Sequence, residues 1–592
     1  MSWLERVVAW LENIVWNFGP TVGGETIPLV VILLLGTGIF LTLRLRFIQV
    51  RRLGHGFGVT TGKYDDPEEP GDVSHFQALT TALSATVGIG NIAGVAIAIH
   101  WGGPGALFWM WVTAFLGMAT KFTEVTLAQR YRDVIVDDDA PRWKGTVSGG
   151  PMYYIERGLG KKWKPLAMFF AFMLMITAFL TGNGVQANTV ADVMSSEFGV
   201  AVWITGFITA SIVGMVIIGG IGRIGRVTGI LAPVMAAIYV FFALVIIILN
   251  IEALPGTLAT IVTEAFNPTA GIAGTGTGAF LITLMWGVRR GLFSNEAGQG
   301  SAPIAHSAAK TDEPVSEGVV ALLEPFIDTI VICTMTALVI LMTGAWTERV
   351  PTTFDLTSGD AIFIARDDRG IFSRVSPPDN VLIEDGLPEG GPDAVQFAWH
   401  EVAVENLYVD VSRTQTFTGV IIPGEARAVD EEGNEYTTLY GAAVETGAPL
   451  TQLGFQRGLA PLGDWGGYIV ILSVLLFAIS TAIAWSYYGD RCAFYIFGEK
   501  AVLPYKMIFV LMHFVGATLA LATVWTIGDI FLGVVILPNL LALILLSKKV
   551  REETASYFNR EPWKENFEVH KRVIEERKRK RLEKERIGNG GV

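Results

Sequence analysis

The sequence predicts an all-α polytopic membrane protein built around two discontinuous helices. Three observations carry that expectation. Hydrophobic residues make up 51% of the chain and charged residues 17%, with a mean hydropathy of +0.46, a balance of membrane proteins rather than soluble enzymes. Eleven apolar windows of roughly bilayer length recur along it. The second contains Ser84-Ala85-Thr86-Val87-Gly88-Ile89-Gly90-Asn91, where two glycines and three polar residues weaken a helix at a depth where lipid satisfies no backbone group.

The windows lie near residues 26–45, 77–100, 104–128, 165–186, 201–220, 227–250, 271–287, 317–345, 466–488, 503–525 and 529–547. Ahead of them, Met1 to Trp16 interleaves charged and apolar residues without a small-residue cleavage site, which reads as an amphipathic interfacial helix rather than a signal peptide. Basic residues cluster after every odd window. Arg44, Arg46, Arg51 and Arg52 follow the first, and Arg130, Arg132, Arg142, Lys144, Arg157, Lys161, Lys162 and Lys164 follow the third. Arg223 and Arg226, then Arg289, Arg290 and Lys310, then Arg491 and Lys500, and finally the tail after Lys548 join the same face. The positive-inside rule makes that face cytoplasmic. It puts the N-terminus outside and the C-terminus inside, in a multi-pass protein of the plasma (inner) membrane.

Residues 348–465 carry acidic residues such as Asp367, Asp368, Glu384, Asp385, Asp430, Glu431 and Glu432, with short alternating runs at Val402-Ala403-Val404 and Tyr408-Val409-Asp410-Val411. They read as a small β-rich extracytoplasmic insertion of unknown partner, with a hairpin turn at Glu432-Gly433-Asn434 and an isolated His400. The tail, 548–592, reads as a solvated helix or disordered end, with anionic lipid contact as the second reading. Cys333 and Cys492 suggest no disulfide framework. A net charge of −12 does not suggest a nucleic-acid binder.

Ten windows run from the broken helix to the end, and five is odd, so two five-helix units enter from opposite faces. This five-plus-five inverted repeat, with one extra N-terminal helix, predicts a second interruption in the seventh window. Trp286-Gly287-Val288-Arg289-Arg290-Gly291-Leu292-Phe293-Ser294-Asn295-Glu296-Ala297-Gly298 supplies it. The units become 1–73 (interfacial segment, peripheral helix and basic loop), 74–250 (first repeat), and 271–347 with 466–547 (second repeat). The outer insertion and the tail complete the chain.

Leu83 to Val95, Ser148-Gly149-Gly150-Pro151-Met152-Tyr153-Tyr154-Ile155, Arg290 to Gly298, Phe477-Ala478-Ile479-Ser480-Thr481 and Trp485-Ser486-Tyr487-Tyr488-Gly489 resemble the alanine or glycine:cation symporters, the sodium:alanine symporter family. The resemblance runs nearly end to end, except for the long outer insertion. It implies sodium-coupled uptake of alanine or glycine on the amino acid-polyamine-organocation fold. Val87 to Asn91 is also similar to the matching stretch of the neurotransmitter:sodium symporters. That similarity implies Gly88, Ile89, Gly90 and Asn91 at the substrate, with the Ile89 and Gly90 amides on its carboxylate, and the Ser84 and Val87 carbonyls on sodium.

Sodium needs hard oxygen ligands. In the ninth window the Phe477 carbonyl is followed one turn later by the Ser480 and Thr481 hydroxyls; taken alone the two read as back-bonded to their own helix, but opposite a broken helix all three read as sodium ligands. Gln186 could serve the ammonium or the carboxylate, or pack helices. Trp485 would cap the substrate side chain, or belong to an interfacial belt. Phe293, Ser294 and Asn295 should complete the pocket. Intramembrane charge adds Glu324 and Asp328 in the eighth window and Lys121 with Glu124 in the third. Lys121 and Glu124 read as a structural pair closing the cytoplasmic side. Asp328 reads equally as a gate, a proton or second-cation site, or a satisfied acceptor. His100, His306 and His513 show no metal-ligand spacing.

Nucleotide-binding and hydrolase motifs are absent. The expectation is therefore a secondary symporter of a small neutral amino acid, not an enzyme, with sodium as coupling ion and no other cofactor. Proton coupling through Asp328 or Glu324 is the alternative within transport; a channel or non-transporting sensor is the alternative outside it.

Overall fold

The computed structural model describes residues 15–588 apart from 17, 23–24, 67–68, 137–144, 269–276, 358–360, 367–371, 376–377, 390–395, 400–401, 404–405 and 520. The expected interfacial helix up to residue 14, His400, and the start of the seventh window lie outside the described residues.

The protein is a polytopic helical membrane protein carrying small sheets. Helices α1 (Leu29–Arg44) and α2 (Ile48–Thr60) meet at 78°. Next come α3 (His75–Thr86) and α4 (Gly90–Gly102), which meet at 54° across a three-residue break. Ser74 opens α3 with a capping box closed by Gln77. Then follow α5 (Ala106–Tyr131), α6 (Lys161–Phe198), α7 (Val202–Ile217), α8 (Gly220–Leu249), α9 (Leu254–Phe266) and α10 (Thr277–Asn295). Residues Glu296 to Ser301 interrupt the chain before α11 (Ala302–His306) and α12 (Pro314–Met342).

Among the described residues six helices are long and apolar enough to cross a membrane, and up to eight if each bent pair counts as one span. α5, α7 and α10 occupy expected windows but fall outside that number: α7 has 16 residues, while polar residues such as Lys121, Glu124, Arg289 and Arg290 interrupt α5 and α10.

The second interruption begins later than the glycines of the seventh window suggest. α10 stays helical through Arg289, Arg290 and Asn295. Positive φ then appears at Glu296 (54°), Gly298 (93°) and Gly300 (79°). Gly291 is needed for packing, not for a turn, since a Cβ there would meet Thr113 Cβ at 3.2 Å. Arg289 and Arg290 are consequently not grouped with Lys310. Lys310 N donates to Val73 O beside the start of α3 (2.9 Å), whereas Arg290 lies against Gly94 of α4, its Cδ 3.8 Å from where a Cβ would stand. Both guanidinium groups rest on aromatic faces: Arg289 on Trp16 (4.5 Å), Arg290 on Trp286 and Phe293 (5.4 and 5.7 Å).

β-structure fills most of the expected insertion. Its strands are β1 (Arg349–Asp355), β2 (Ala361–Arg366), β3 (Phe372–Val375), β4 (Val381–Glu384), β5 (Leu387–Pro388), β6 (Gln396–Trp399), β7 (Val402–Ala403), β8 (Gly419–Ile422), β9 (Arg427–Asp430), β10 (Glu435–Tyr436) and β11 (Thr438–Val444). One sheet has the order β7-β6-β2-β3, another β10-β9-β8-β4-β5, and β11 pairs with β1. Gly433 (φ 87°) turns the β9–β10 hairpin, as Glu432-Gly433-Asn434 suggests. The run from Tyr408 to Val411 is not a strand; Tyr408 makes only isolated bridges, to Thr416 and Tyr440, because Asp410 turns the chain by accepting from the Thr414 and Gln415 amides, each at 2.9 Å.

The β-structure also stops short of 465. After β11 comes α13 (Gly447–Leu459), and the Thr451 hydroxyl donates to the Ile92 carbonyl of α4 (2.9 Å). The chain closes with α14 (Gly466–Phe497), α15 (Val502–Ala517), α16 (Leu521–Arg560) and α17 (Trp563–Gly588). The charged tail is thus helical. Arg560 forks onto Glu313 (2.7 and 2.9 Å) and Asn566 donates to Glu69 (3.2 Å).

Two expectations follow. Replacing residues 357–437 by a short flexible linker, which keeps the β1–β11 pair and α13, should leave a folded, monodisperse protein by size-exclusion chromatography. Removal extended through 460 should not, because it takes away α13. Separately, burial pushes the Glu69 carboxyl up to about 7. Folding raises this pKa, so Glu69 favours the folded protein at low pH and that contribution is lost as pH rises through about 7, although the Asn566 contact by itself favours the ionised carboxyl. The thermal unfolding temperature in detergent should be lower at pH 8 than at pH 6, and Glu69→Gln should narrow that difference.

Candidate functional site

The two interruptions face each other across a tight pocket with about 10 Å³ of free volume, room for about one water. Ala85, Thr86, Gly88, Ile89, Gly90, Thr181, Gln186, Phe293, Glu296, Thr481, Trp485 and Leu532 line it. Of the sequence-proposed pocket residues, Gly88, Ile89, Gly90, Gln186, Phe293 and Trp485 therefore come together, with Thr481 beside them. Glycines set the spacing. A Cβ on Gly88 would stand 2.7 Å from Thr481 Oγ1, and one on Gly90 would stand 3.0 Å from Phe293 Cδ1. One on Gly182 would be 2.3 Å from Trp485 Cγ, so bare backbone lets the indole lie against α6. Trp485 is 1% exposed, which rules out an interfacial belt position. Gln186 gives its Nε2 to the Thr181 carbonyl (3.2 Å) and leaves Oε1 buried without a partner.

Asn91, Ser294 and Asn295 stand one layer behind the cavity. Asn91 Oδ1 accepts from the Gly88 amide (2.9 Å), fixing the break, while its Nδ2 donates to Asp328 Oδ1 (2.7 Å). Ser294 and Thr329 hydroxyls donate to Asp328 Oδ2 (2.6 and 2.7 Å). Asn295 donates to Thr329 (3.2 Å) and accepts from the Ala297 amide (3.0 Å). Asp328 is therefore a satisfied acceptor joining both interruptions to α12. It lies in a π-helical stretch, Phe326–Cys333, so Glu324-Pro325 and Asp328 loosen α12 without breaking it. Freed carbonyls of the first interruption also find donors: Thr336 Oγ1 bonds Asn91 O (2.8 Å), as Thr451 bonds Ile92 O.

A second oxygen cluster adjoins the cavity. Thr481 Oγ1 donates to the Ser84 carbonyl (2.9 Å), while Ser480 Oγ reaches the Phe477 carbonyl (2.9 Å) and the Ser84 carbonyl (3.4 Å). Ser480 is partly back-bonded, but Thr481 reaches across to α3. The cluster joins the last turn of α3 to α14 through hard oxygens, with the Met235 thioether also 3.3 Å from Ser480 Oγ. Val87 follows directly, its amide still tied to Leu83 O (2.7 Å).

Lys121 does not pair with Glu124. Its Nζ meets Glu324 Oε1 at 2.8 Å, both side chains fully buried. The residues are one turn apart on α5, but Glu124 turns to the second interruption, where it accepts from the Gly300 amide (3.1 Å) and from Asn539 Nδ2. Glu324 also lies 3.5 Å from His306 Nε2, and Glu317 bridges His306 to His75. α3, α11, α12 and α5 are thereby tied together at the end of the molecule that carries α17. Among the described residues no group of acidic, His and Cys side chains is arranged to hold a metal.

Glu296, Thr181, Thr86 and Leu532 were not singled out from sequence. Glu296 was findable, since a carboxylate beside a predicted interruption meets the same criterion as Glu324 and Asp328. Glu317, which opens the eighth window, met it too, whereas His75 and His306 carried no such signal; the three are brought together only by folding.

A polytopic membrane protein with two interrupted helices around a buried cavity belongs to the class of secondary transporters. The family model of the sodium:alanine symporter family matches residues 1–362 and 402–571, and the chain belongs to that family. It is 41% identical over 533 residues to the sodium/alanine symporter AgcS of Methanococcus maripaludis, covering 90% of this chain and 94% of that one. The amino-acid carrier protein AlsT of Bacillus subtilis is 31% identical, over 87% of this chain and 86% of its own length. Another Bacillus subtilis relative, named "Probable sodium/glutamine symporter GlnT", is 31% identical, over 92% of this chain and 89% of its own. These are transporters, not enzymes, and this chain is a cation-coupled amino acid symporter by family.

Lys121→Met should leave Glu324 buried without its cation and destabilise the protein by about 3–5 kcal/mol. Thermal unfolding in detergent measures it, and Lys121→Met with Glu324→Gln should recover part of the loss.

Proposed function

We propose that the protein is a sodium-coupled symporter importing alanine or glycine by alternating access. The observation that carries this reading is the tight pocket lined by the Gly88–Gly90 interruption, Phe293 and Glu296, which must widen to admit a substrate, with the oxygen cluster of Ser84, Phe477, Ser480 and Thr481 beside it. In this reading the Ile89 and Gly90 amides, which open α4 without intrahelical partners, hold the substrate carboxylate. Gln186 Oε1 accepts from the ammonium. Trp485 and Phe293 limit the side chain to hydrogen or methyl, while Asn91, Ser294 and Asn295 position the breaks. Sodium takes the Ser84, Val87 and Phe477 carbonyls with the Ser480 and Thr481 hydroxyls. Without a carboxylate among these ligands, sodium binds weakly enough to leave.

Eleven spans complete the reading, in a five-plus-five inverted repeat preceded by one helix, with sheets outside and both α17 and the Lys121–Glu324 pair at the cytoplasmic side of the plasma membrane. Glu124, Glu317 and the two histidines lock the inward gate, and Asp328 acts as a structural acceptor. The units 1–73, 74–250, 271–347 with 466–547, 348–465 and 548–592 stand as proposed, with α13 serving the membrane body. One charge crossing about 100 mV supplies roughly 2.3 kcal/mol, and a tenfold sodium gradient about 1.4 kcal/mol. Together they suffice to concentrate a zwitterion several hundredfold.

Uptake of labelled alanine into proteoliposomes tests this: it should require an inward sodium gradient, and uptake driven equally by a proton gradient without sodium would reject sodium coupling. Thr481→Ala should raise the sodium concentration for half-maximal uptake with little change in folding. Gly90→Val should abolish binding of every amino acid. Trp485→Ala should weaken alanine by about 1–3 kcal/mol while improving valine relative to it, measured by competition at fixed sodium.

A further inference from the structure

Glu296 is the one carboxylate among the cavity-lining residues. It sits in the second interruption at φ 54° and is 3% exposed. Its Oε1 accepts from Trp485 Nε1 (3.0 Å), and its Oε2 accepts from the Ser301 hydroxyl. Among the described residues no Lys, Arg or His forms an ion pair with it; the nearby buried cation, Lys121, is engaged by Glu324. Two neutral donors do not compensate a carboxylate removed from water, and a buried charge calls for an opposite one. Gln186 Oε1, a second lining acceptor buried without a donor, stands beside the first interruption, 3.7 Å from where a Cβ on Gly88 would be. The first interruption thus offers N–H groups at the start of α4, and the second offers a carboxyl group.

We propose that Glu296 receives the α-ammonium of the substrate, so that each interruption holds one end of a zwitterion. This rests on the transport reading above and extends it. The substrate class becomes compact amino acids with a free, protonated amine. Lactate, which has a hydroxyl where alanine has the ammonium, and N-acetylalanine, whose nitrogen is neutral, fall outside it. Glu296 also holds Trp485, so amine recognition and side-chain size are read by neighbouring atoms.

Competition against labelled alanine, and direct calorimetric titration of alanine and lactate, would test this with the full-length protein in detergent at saturating sodium. In Glu296→Gln, alanine affinity should fall about 30-fold or more while lactate affinity holds or improves, so the alanine-over-lactate preference collapses. Trp485→Phe removes the indole N–H but keeps the carboxylate, and should alter size ranking while keeping that preference. If Glu296→Gln retains the wild-type preference, the proposal is overturned. So it is if Trp485→Phe reproduces the collapse, because Glu296 would then act only by positioning the indole.

A measurement on the wild-type protein covers the case in which Glu296→Gln does not fold. With the ligand carboxylate carbon-13 labelled, alanine should perturb a protein carboxylate stretch in infrared difference spectra that lactate leaves unmoved; no such band overturns the proposal. A wild-type protein that binds no alanine rejects the transport reading itself. Binding with an unchanged preference in Glu296→Gln rejects this inference alone.

Discussion

The hydrogen bonds of Asn91 hold the rest of the site in place. A helix interrupted inside an apolar body leaves amides and carbonyls with no water to meet them, and each must find a partner or a ligand. Asn91 answers on both sides: it caps Gly88 with its carbonyl oxygen and reaches Asp328 with its nitrogen. Asp328 in turn gathers Ser294 and Thr329. One asparagine and one aspartate therefore fix the relative position of two breaks that lie about two hundred residues apart in sequence. The cavity is the space this arrangement leaves between them.

Much of this was legible in the residues from Ser84 to Asn91, because glycine spacing and buried polar groups report backbone that departs from a helix. The second interruption was legible in existence but not in place. Glycines at 287 and 291 serve close packing against α5, where Cβ atoms would strike Ala106 O and Thr113, and composition does not separate a packing glycine from a turning one. The arginines misled for a related reason: positive-inside counting assumes that basic residues lie in loops, yet Arg289 and Arg290 sit within a helix against aromatic rings.

Pairings between distant segments were the least legible. Lys121 and Glu124 share a helix face, and local spacing favours their pairing. Glu324 wins because α12 brings it within 2.8 Å in a fully buried setting, where Coulomb attraction is less screened. The same limit hid the His75–Glu317–His306 bridge, whose members come from three different helices. In the β-bearing segment, alternation announced strands, but the position of α13 depends on a contact with Ile92 that no local pattern carries.

The antiparallel pairing of Arg349–Asp355 with Thr438–Val444 brings the two ends of the β-bearing segment side by side, so among the described residues a two-stranded stalk joins the sheets to the helical body. Chain inserted beyond such a stalk costs mainly the entropy of closing a longer loop, which grows only with the logarithm of its length. Sequence above the stalk is accordingly cheap to exchange, and it is there, over residues 363–401, that the match to the family lapses.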